Sequence, residues 1–540
     1  MRAINMNTRA GQLLGVAAVS VAALLAQAAQ AAAPGIIGRA SLGTAAGTST
    51  FNLVATAAHI SQPDGQAVYS WGYGCSGTAA PSGFLPAPGG VNLPGAACST
   101  MQIPGPTLVV NQGDTVTVNL TNNLPAAAGN TSILFPGFTL TSSSGGSAGL
   151  LTQEAAPNNT VSYTFTASTP GTHSYYSGTQ GDLQVEMGLY GAIIVLPSAI
   201  PVTCNTSTAA PSTGPNNLAA QAAHLEKNFR LAAAAYNHAM ACYDREYLFQ
   251  FSEMDPRIHR QVEEQVLAGA TQLAVDIDPY RPAYFMINGR SMPDDMDPNY
   301  AAPYPHQPYN GNPHMHPGEL VLLRIIGQGR WQHPFHEHGN HVRVLARDGN
   351  LLLTPTTTAA TATTPLAGPL LFTTTTTPGQ AIDGIFYWTG KGLNWDVFGH
   401  GFAGDASACV ADVNGYYTSN RAADNYYEWC PDHKKPLESK PFGSVASGGP
   451  MTLPDPNIVA NGPWYSGSPY LGGEATRRAI GTTPIPPSGT VANSPTDEAG
   501  FAYMWHSHNE REITTNNIFP GGMLMMMLVD PRAFVIDESK

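Results

Sequence analysis

The sequence predicts an all-β protein: two β-domains joined by a short helical linker, with a large loop insertion in the second. Three observations lead there. Only 11% of the 540 residues are charged while glycine (56) and proline (45) abound, a composition suited to short strands and frequent turns. Alternating β-branched runs bounded by Gly, Pro and Asn recur in both halves of the chain. Between the halves an Ala-rich stretch breaks the pattern.

The N-terminus comes first. A basic start containing Arg2 and Arg9 is followed by an apolar run from Leu13 to Leu25 and by Ala29-Gln30-Ala31. Residues 1–31 therefore read as a secretory signal peptide, cleaved to give a periplasmic or secreted protein. The run is too short for a bilayer, and no later stretch is longer, so no membrane span is expected. A formal charge of −13 offers no basic face and argues against a nucleic-acid partner.

Residues 34–200 form the first domain, with strand signals at Leu108-Val109-Val110, at Thr115 to Leu120 and at Val161 to Phe165. In the linker, residues 201–245, Leu225, Phe229, Ala232, Tyr236 and Met240 recur at helical spacing, and Asn216-Asn217 supply a start. His224 and His238 read as solvated residues of that helix. The second domain spans 246–535, opening at Glu246-Tyr247-Leu248-Phe249-Gln250-Phe251. Strand signals lapse after Trp388 and resume at Phe501, so about 396–498 reads as an insertion. Six cysteines in an exported chain suggest disulfides. Pairing nearest neighbours gives Cys75–Cys98, Cys204–Cys242 and Cys409–Cys430, although spacing alone leaves other connectivities open.

Chemistry concentrates in two stretches. One runs Trp331-Gln332-His333-Pro334-Phe335-His336-Glu337-His338-Gly339; the other is Met504-Trp505-His506-Ser507-His508. Alternate strand residues share a face, so His336 and His338 point one way, as do His506 and His508. A lone His is usually a satisfied core or surface residue, but two such pairs on strands predict a metal site. Imidazole suits copper, zinc, iron and nickel. His314-Met315-His316 opens a strand and offers either a second metal site or a solvated strand end. Met523, Met525, Met526 and Met527 read as a terminal core strand.

These residues carry a resemblance. His333-Pro334-Phe335-His336-Glu337-His338-Gly339 resembles the His-Pro-x-His-x-His-Gly signature of multicopper oxidases, and His506-Ser507-His508 resembles their His-Cys-His motif with serine for cysteine. Pro104-Gly105-Pro106-Thr107-Leu108 with Gly113-Asp114-Thr115-Val116 is similar to the family's first strands. Asn288-Gly289-Arg290, Pro317-Gly318-Glu319 and Arg347-Asp348-Gly349 are similar to its later framework. The resemblance covers most of the chain outside the linker and the insertion. It implies tandem cupredoxin-like Greek-key β-barrels, copper as cofactor and oxidoreductase chemistry on a small-molecule reductant. It also implies a homotrimer, the assembly of two-domain relatives.

The departures matter as much. The resemblance puts His333, Ser507 and, five residues on, Glu512 at the type 1 copper positions. Without the cysteine no blue site forms and the usual electron route is absent. In the first domain Leu134 and Pro136 stand at one lost His pair, Tyr176 and Gly178 at the other. His173, of the wrong parity, faces away. The remaining ligands, His336, His338, His506 and His508, would hold one copper or at most two. Three functions follow as expectations: a divergent copper oxidoreductase with a reduced His-ligated centre, a protein that stores or resists copper ions, or a metal-free cupredoxin scaffold.

Overall fold

Leu108 and Val110 enter one apolar cluster while Val109, between them, enters another. Along Arg245–Met254 the same alternation sends Tyr247, Phe249 and Phe251 to one side and Leu248 to the other. Strands buried on both faces are continuous apolar runs, and here they mark the inner sheets of a four-layer stack. The computed structural model describes residues 33–85, 98–205, 216–392, 398, 409–431, 467–471 and 499–538. The signal-peptide segment 1–31 and most of the insertion at 396–498 lie outside the described residues.

In the N-terminal half, an inner five-stranded sheet runs in the order Gly171–Tyr176, Tyr190–Leu196, Leu108–Asn111, Gly35–Ile37, Gly83–Leu85. An outer five-stranded sheet runs Ala67–Cys75, Thr48–Ser61, Thr115–Asn122, Thr160–Thr166, Leu140–Ser144. The core between them holds Trp71, Tyr73, Tyr163 and Tyr175. In the C-terminal half, the inner sheet centres on Arg245–Met254, Leu320–Gly327, Ala381–Tyr387 and Val342–Arg347. The outer sheet runs His314–Met315, Leu524–Val529, Ala499–Ser507, His333–Glu337, Thr373–Thr376, and both histidine motifs lie on its neighbouring strands. Gly467–Leu471, inside the insertion, adds an edge strand against Ala499–Ser507. The two inner sheets pack through Ile194, Leu248 and Ile326. A buried polar tie reinforces them: Thr172 donates from N and Oγ1 to the Asp383 carboxylate at 3.0 and 2.6 Å.

The linker differs from the expected helix. Asn216 does cap a helix, accepting from Ala219 N at 3.2 Å, but the helix covers only Asn217–Ala223. Leu225 adopts φ 64° and is 85% exposed, so the apolar spacing from Leu225 to Met240 is not helical. Instead Ala234 bridges Cys242 and the chain doubles back, burying Phe229 and Tyr236 from non-helical backbone. His238, expected in solvent, is buried with Nε2 at 2.7 Å from the Thr364 carbonyl. A helix absent from the sequence reading, Pro256–Leu267, is capped by Asp255 with proline in its first turn. The disulfides are Cys75–Cys98, Cys204–Cys242 and Cys409–Cys430. Among the described residues no helix is long and apolar enough to cross a membrane.

Candidate metal centre

The antiparallel register of His333–Glu337 and Ala499–Ser507 sets the site. His336 lies directly opposite His506, Phe335 opposite Ser507 and Glu337 opposite Trp505. Strand alternation then puts Phe335, Glu337, Trp505 and Ser507, all buried, on the core face. The imidazoles gather on the other face. Ring centroids of His336 lie 4.8 Å from His338, 5.5 Å from His506 and 4.9 Å from His508.

His336, His338 and His506 each offer a ring nitrogen within 4.8 Å of the others, and all three are buried. His508 is exposed at the rim. Two hydrogen bonds fix the orientation of the rings. His506 Nδ1 donates to the Ser507 carbonyl at 2.7 Å, leaving Nε2 as a lone-pair donor 3.2 Å from His338 Nε2. His336 Nδ1 meets the Thr373 hydroxyl at 2.9 Å. Burial first, then the charges of His506 and His508, push His336 down to about 4. Burial likewise lowers His506. His336 and His506 are therefore neutral at neutral pH, as metal ligation requires.

His333 stands apart. Its Nδ1 lies 2.9 Å from Glu512 Oε2 and its Nε2 2.9 Å from Glu253 Oε2, with all three side chains buried. Burial alone would lower this imidazole. The hydrogen bonds and charges of Glu253 and Glu512 outweigh burial and raise it to about 9. His333 is thus an imidazolium clamped between carboxylates, with no lone pair for a metal. Ser507 Oγ donates to Glu512 Oε2 at 2.5 Å, completing the arrangement.

The other His pair is neither solvated nor open to a cation. His316 Nδ1 donates to the Asp530 carbonyl at 2.9 Å, and Nε2 lies 2.7 Å from Glu226 Oε1. Glu226, His316 and Glu319 do converge. However, Arg245 already fills that space, 2.7 Å from Glu226 and 2.6 Å from Glu319. His314 Nδ1 sits 2.5 Å from Asp530 Oδ2. His173, of the wrong strand parity, hydrogen-bonds the Thr169 carbonyl at 3.0 Å.

Two supporting residues escaped the sequence reading. Glu253 ends an apolar strand far from any motif, and it also takes the backbone N–H groups of Arg330 and Trp331 at 2.7 and 2.9 Å. Thr373 lies in a low-complexity Thr-rich stretch. Only pairing between His336 and Thr373 across adjacent strands reveals its role.

Two segments, residues 96–199 and 276–382, match family models described as multicopper oxidase. The chain carries two multicopper oxidase domains. Its halves are tandem cupredoxin-like domains. Among curated relatives, L-ascorbate oxidase of Brassica rapa subsp. pekinensis is 40% identical over 96 residues, 17% of this chain and 16% of that protein. Copper resistance protein A of Escherichia coli is 38% identical over 93 residues, 17% of this chain and 14% of that protein. The chain thus spans well under two thirds of the curated relatives it matches. The solved blue copper oxidase from Nitrosomonas europaea is 15% identical with a TM-score of 0.43, covering 88% of this chain and 85% of that one.

Copper is the cofactor of multicopper oxidases, and the donor set here fits it. Three imidazoles with no carboxylate among them suit a borderline ion such as copper. The 3.2 Å separation of His506 Nε2 and His338 Nε2 also fits. Two imidazole nitrogens about 2.0 Å from one tetrahedral ion stand about 3.3 Å apart. Thr373 holds the His336 ring and the Ser507 carbonyl holds the His506 ring, each at Nδ1, as partners of metal-binding histidines do in general.

Proposed function

We propose that this is an extracytoplasmic copper protein, a divergent oxidoreductase whose reduced copper centre is held by His336, His338 and His506, with His508 at the open rim. The observation that supports it most is the buried imidazole triad on the outer sheet, its ring nitrogens within 4.8 Å of one another. Three histidines with a fourth position facing solvent leave room for a small molecule, whereas a closed four-ligand site would be structural. Copper bound there would supply one-electron chemistry. The protein's part is to keep the rings deprotonated, orient them through Thr373 and Ser507, and exclude water on the core side with Phe335 and Trp505.

The clamp on His333 supports the absence of a blue site. Its ring nitrogens are committed to Glu253 and Glu512, and Ser507 offers a hydroxyl where a thiolate would be needed. That same loss favours a second reading, copper storage or resistance, in keeping with the similarity to copper resistance protein A. The domain division at 34–200, 201–245 and 246–535, the cleaved signal peptide and a homotrimer belong to the proposal as well. The test is copper content per chain after loading and dialysis, with absorption and EPR spectra. One copper, at most two, without intense blue absorption is expected. A chain that never retains copper would leave the metal-free scaffold.

A further inference from the structure

Leu134, Tyr176 and Gly178, which stand where the resemblance expects first-domain histidines, line one cleft of about 690 Å³. Leu134 and Tyr176 exchange backbone hydrogen bonds of 2.7 and 3.3 Å. The Leu134 side chain fills the space over Gly178, where a Cβ would stand 2.8 Å from Leu134 Cγ. Across the cleft, Gly379 belongs to the second domain, and a Cβ there would stand 3.2 Å from the Tyr176 hydroxyl. The floor is thus aliphatic and phenolic, and the volume falls in the range of about 300–1,000 Å³ typical of small-molecule sites.

Charge narrows the ligand. Glu154 and Asp182 line the cleft, and among the described residues no lysine, arginine or histidine does. Glu154 is held in place: Thr179 Oγ1 and Asn130 Nδ2 donate to its two oxygens at 2.9 and 3.1 Å. Each carboxylate oxygen keeps a further lone pair for a ligand. Leu150 and Leu151 form part of the lining yet remain 92% and 64% exposed, apolar surface that a bound body would cover. A carboxylate beside apolar walls and a phenol attracts a cation with an apolar body and rejects the corresponding anion.

We propose that this cleft binds a small organic ammonium ion with a compact apolar body, independently of the copper centre. The experiment titrates the full chain at pH 7 with 2-phenylethylamine, 2-phenylethanol and phenylacetate, followed by calorimetry. The amine should bind with one-to-one stoichiometry, the alcohol roughly tenfold more weakly and the acid not at all. Glu154→Gln should weaken the amine roughly tenfold while leaving the alcohol unchanged. Leu134→Trp should fill the cleft and abolish both, with a thermal melt to check that it folds. His338→Ala should leave amine binding intact. No amine binding, equal binding of amine and acid, or unchanged amine affinity in Glu154→Gln would overturn the site. Loss of amine binding in His338→Ala would place the amine on the metal and overturn it too.

Discussion

His336 and His506 face each other across two antiparallel strands, residue against residue, with ring centroids 5.5 Å apart. If either strand slipped by one residue against the other, its own ring would turn to the core face, bringing Phe335 or Ser507 outward and parting the two imidazoles. The candidate metal centre is therefore a property of strand pairing. It depends on the Phe335, Trp505 and Met525 packing that fixes the register.

Loss of one ring should release the metal. His338→Ala or His506→Ala is expected to weaken copper binding by at least about 100-fold, beyond the roughly 10–100-fold that loss of an orienting partner costs. Thr373→Val should fall within that smaller range. His224→Ala, on the linker, should leave occupancy unchanged. Metal analysis of the four variants beside wild type checks this; equal occupancy throughout would remove the site.

Copper should survive mild acid. His336 is held near 4 by burial and by the neighbouring imidazoles, so its ring stays neutral through the ordinary imidazole range. Retention should be flat down to about pH 5 and collapse as pH approaches about 4. In the metal-free chain the same depressed value favours folding above about pH 6.5, and that contribution is lost as pH falls toward 4. A copper-retention curve against pH reads the first effect directly. Half-release near pH 6.5 would contradict it.

The His333 clamp predicts the opposite sign. With its value raised to about 9, His333 contributes stability fully below about pH 6.5 and loses it as pH rises through 9. Glu512→Gln removes one partner of a buried ion pair and should cost about 3–5 kcal/mol. Chemical denaturation at pH 7 measures the cost, and melts of wild type from pH 7 to 10 trace the alkaline loss. An Glu512→Gln chain as stable as wild type would refute the clamp.

Redox behaviour follows from Ser507. The wild type should lack intense blue absorption and show little laccase turnover. Ser507→Cys alone should not restore either, since the new thiol would face Glu512 and His333 would remain bound to both carboxylates. Robust turnover by the unaltered chain would count decisively against this.

The proposed homotrimer is checked by light scattering over a range of protein concentrations. A single species about three chains in mass is expected, and a monomer at every concentration would exclude it.

The sequence by itself determined the strands and the four imidazoles. Period-two alternation fixes which side chains share a face, so His336 with His338 and His506 with His508 could be paired from numbering alone. Local chemistry also carried the Asn216 cap. Tertiary structure decided the rest. Glu253 is 80 residues from His333, and nothing nearby in the chain marks it as the partner that turns a candidate ligand into an imidazolium. Arg245 likewise fills the space among Glu226, His316 and Glu319 from a distant strand. The linker misled because apolar spacing records which residues are buried, and Phe229 and Tyr236 reach the interior from a folded-back chain as readily as from a helix. Charge compensation and burial are set by whichever strands the fold brings together, so they appear only once the sheets have packed.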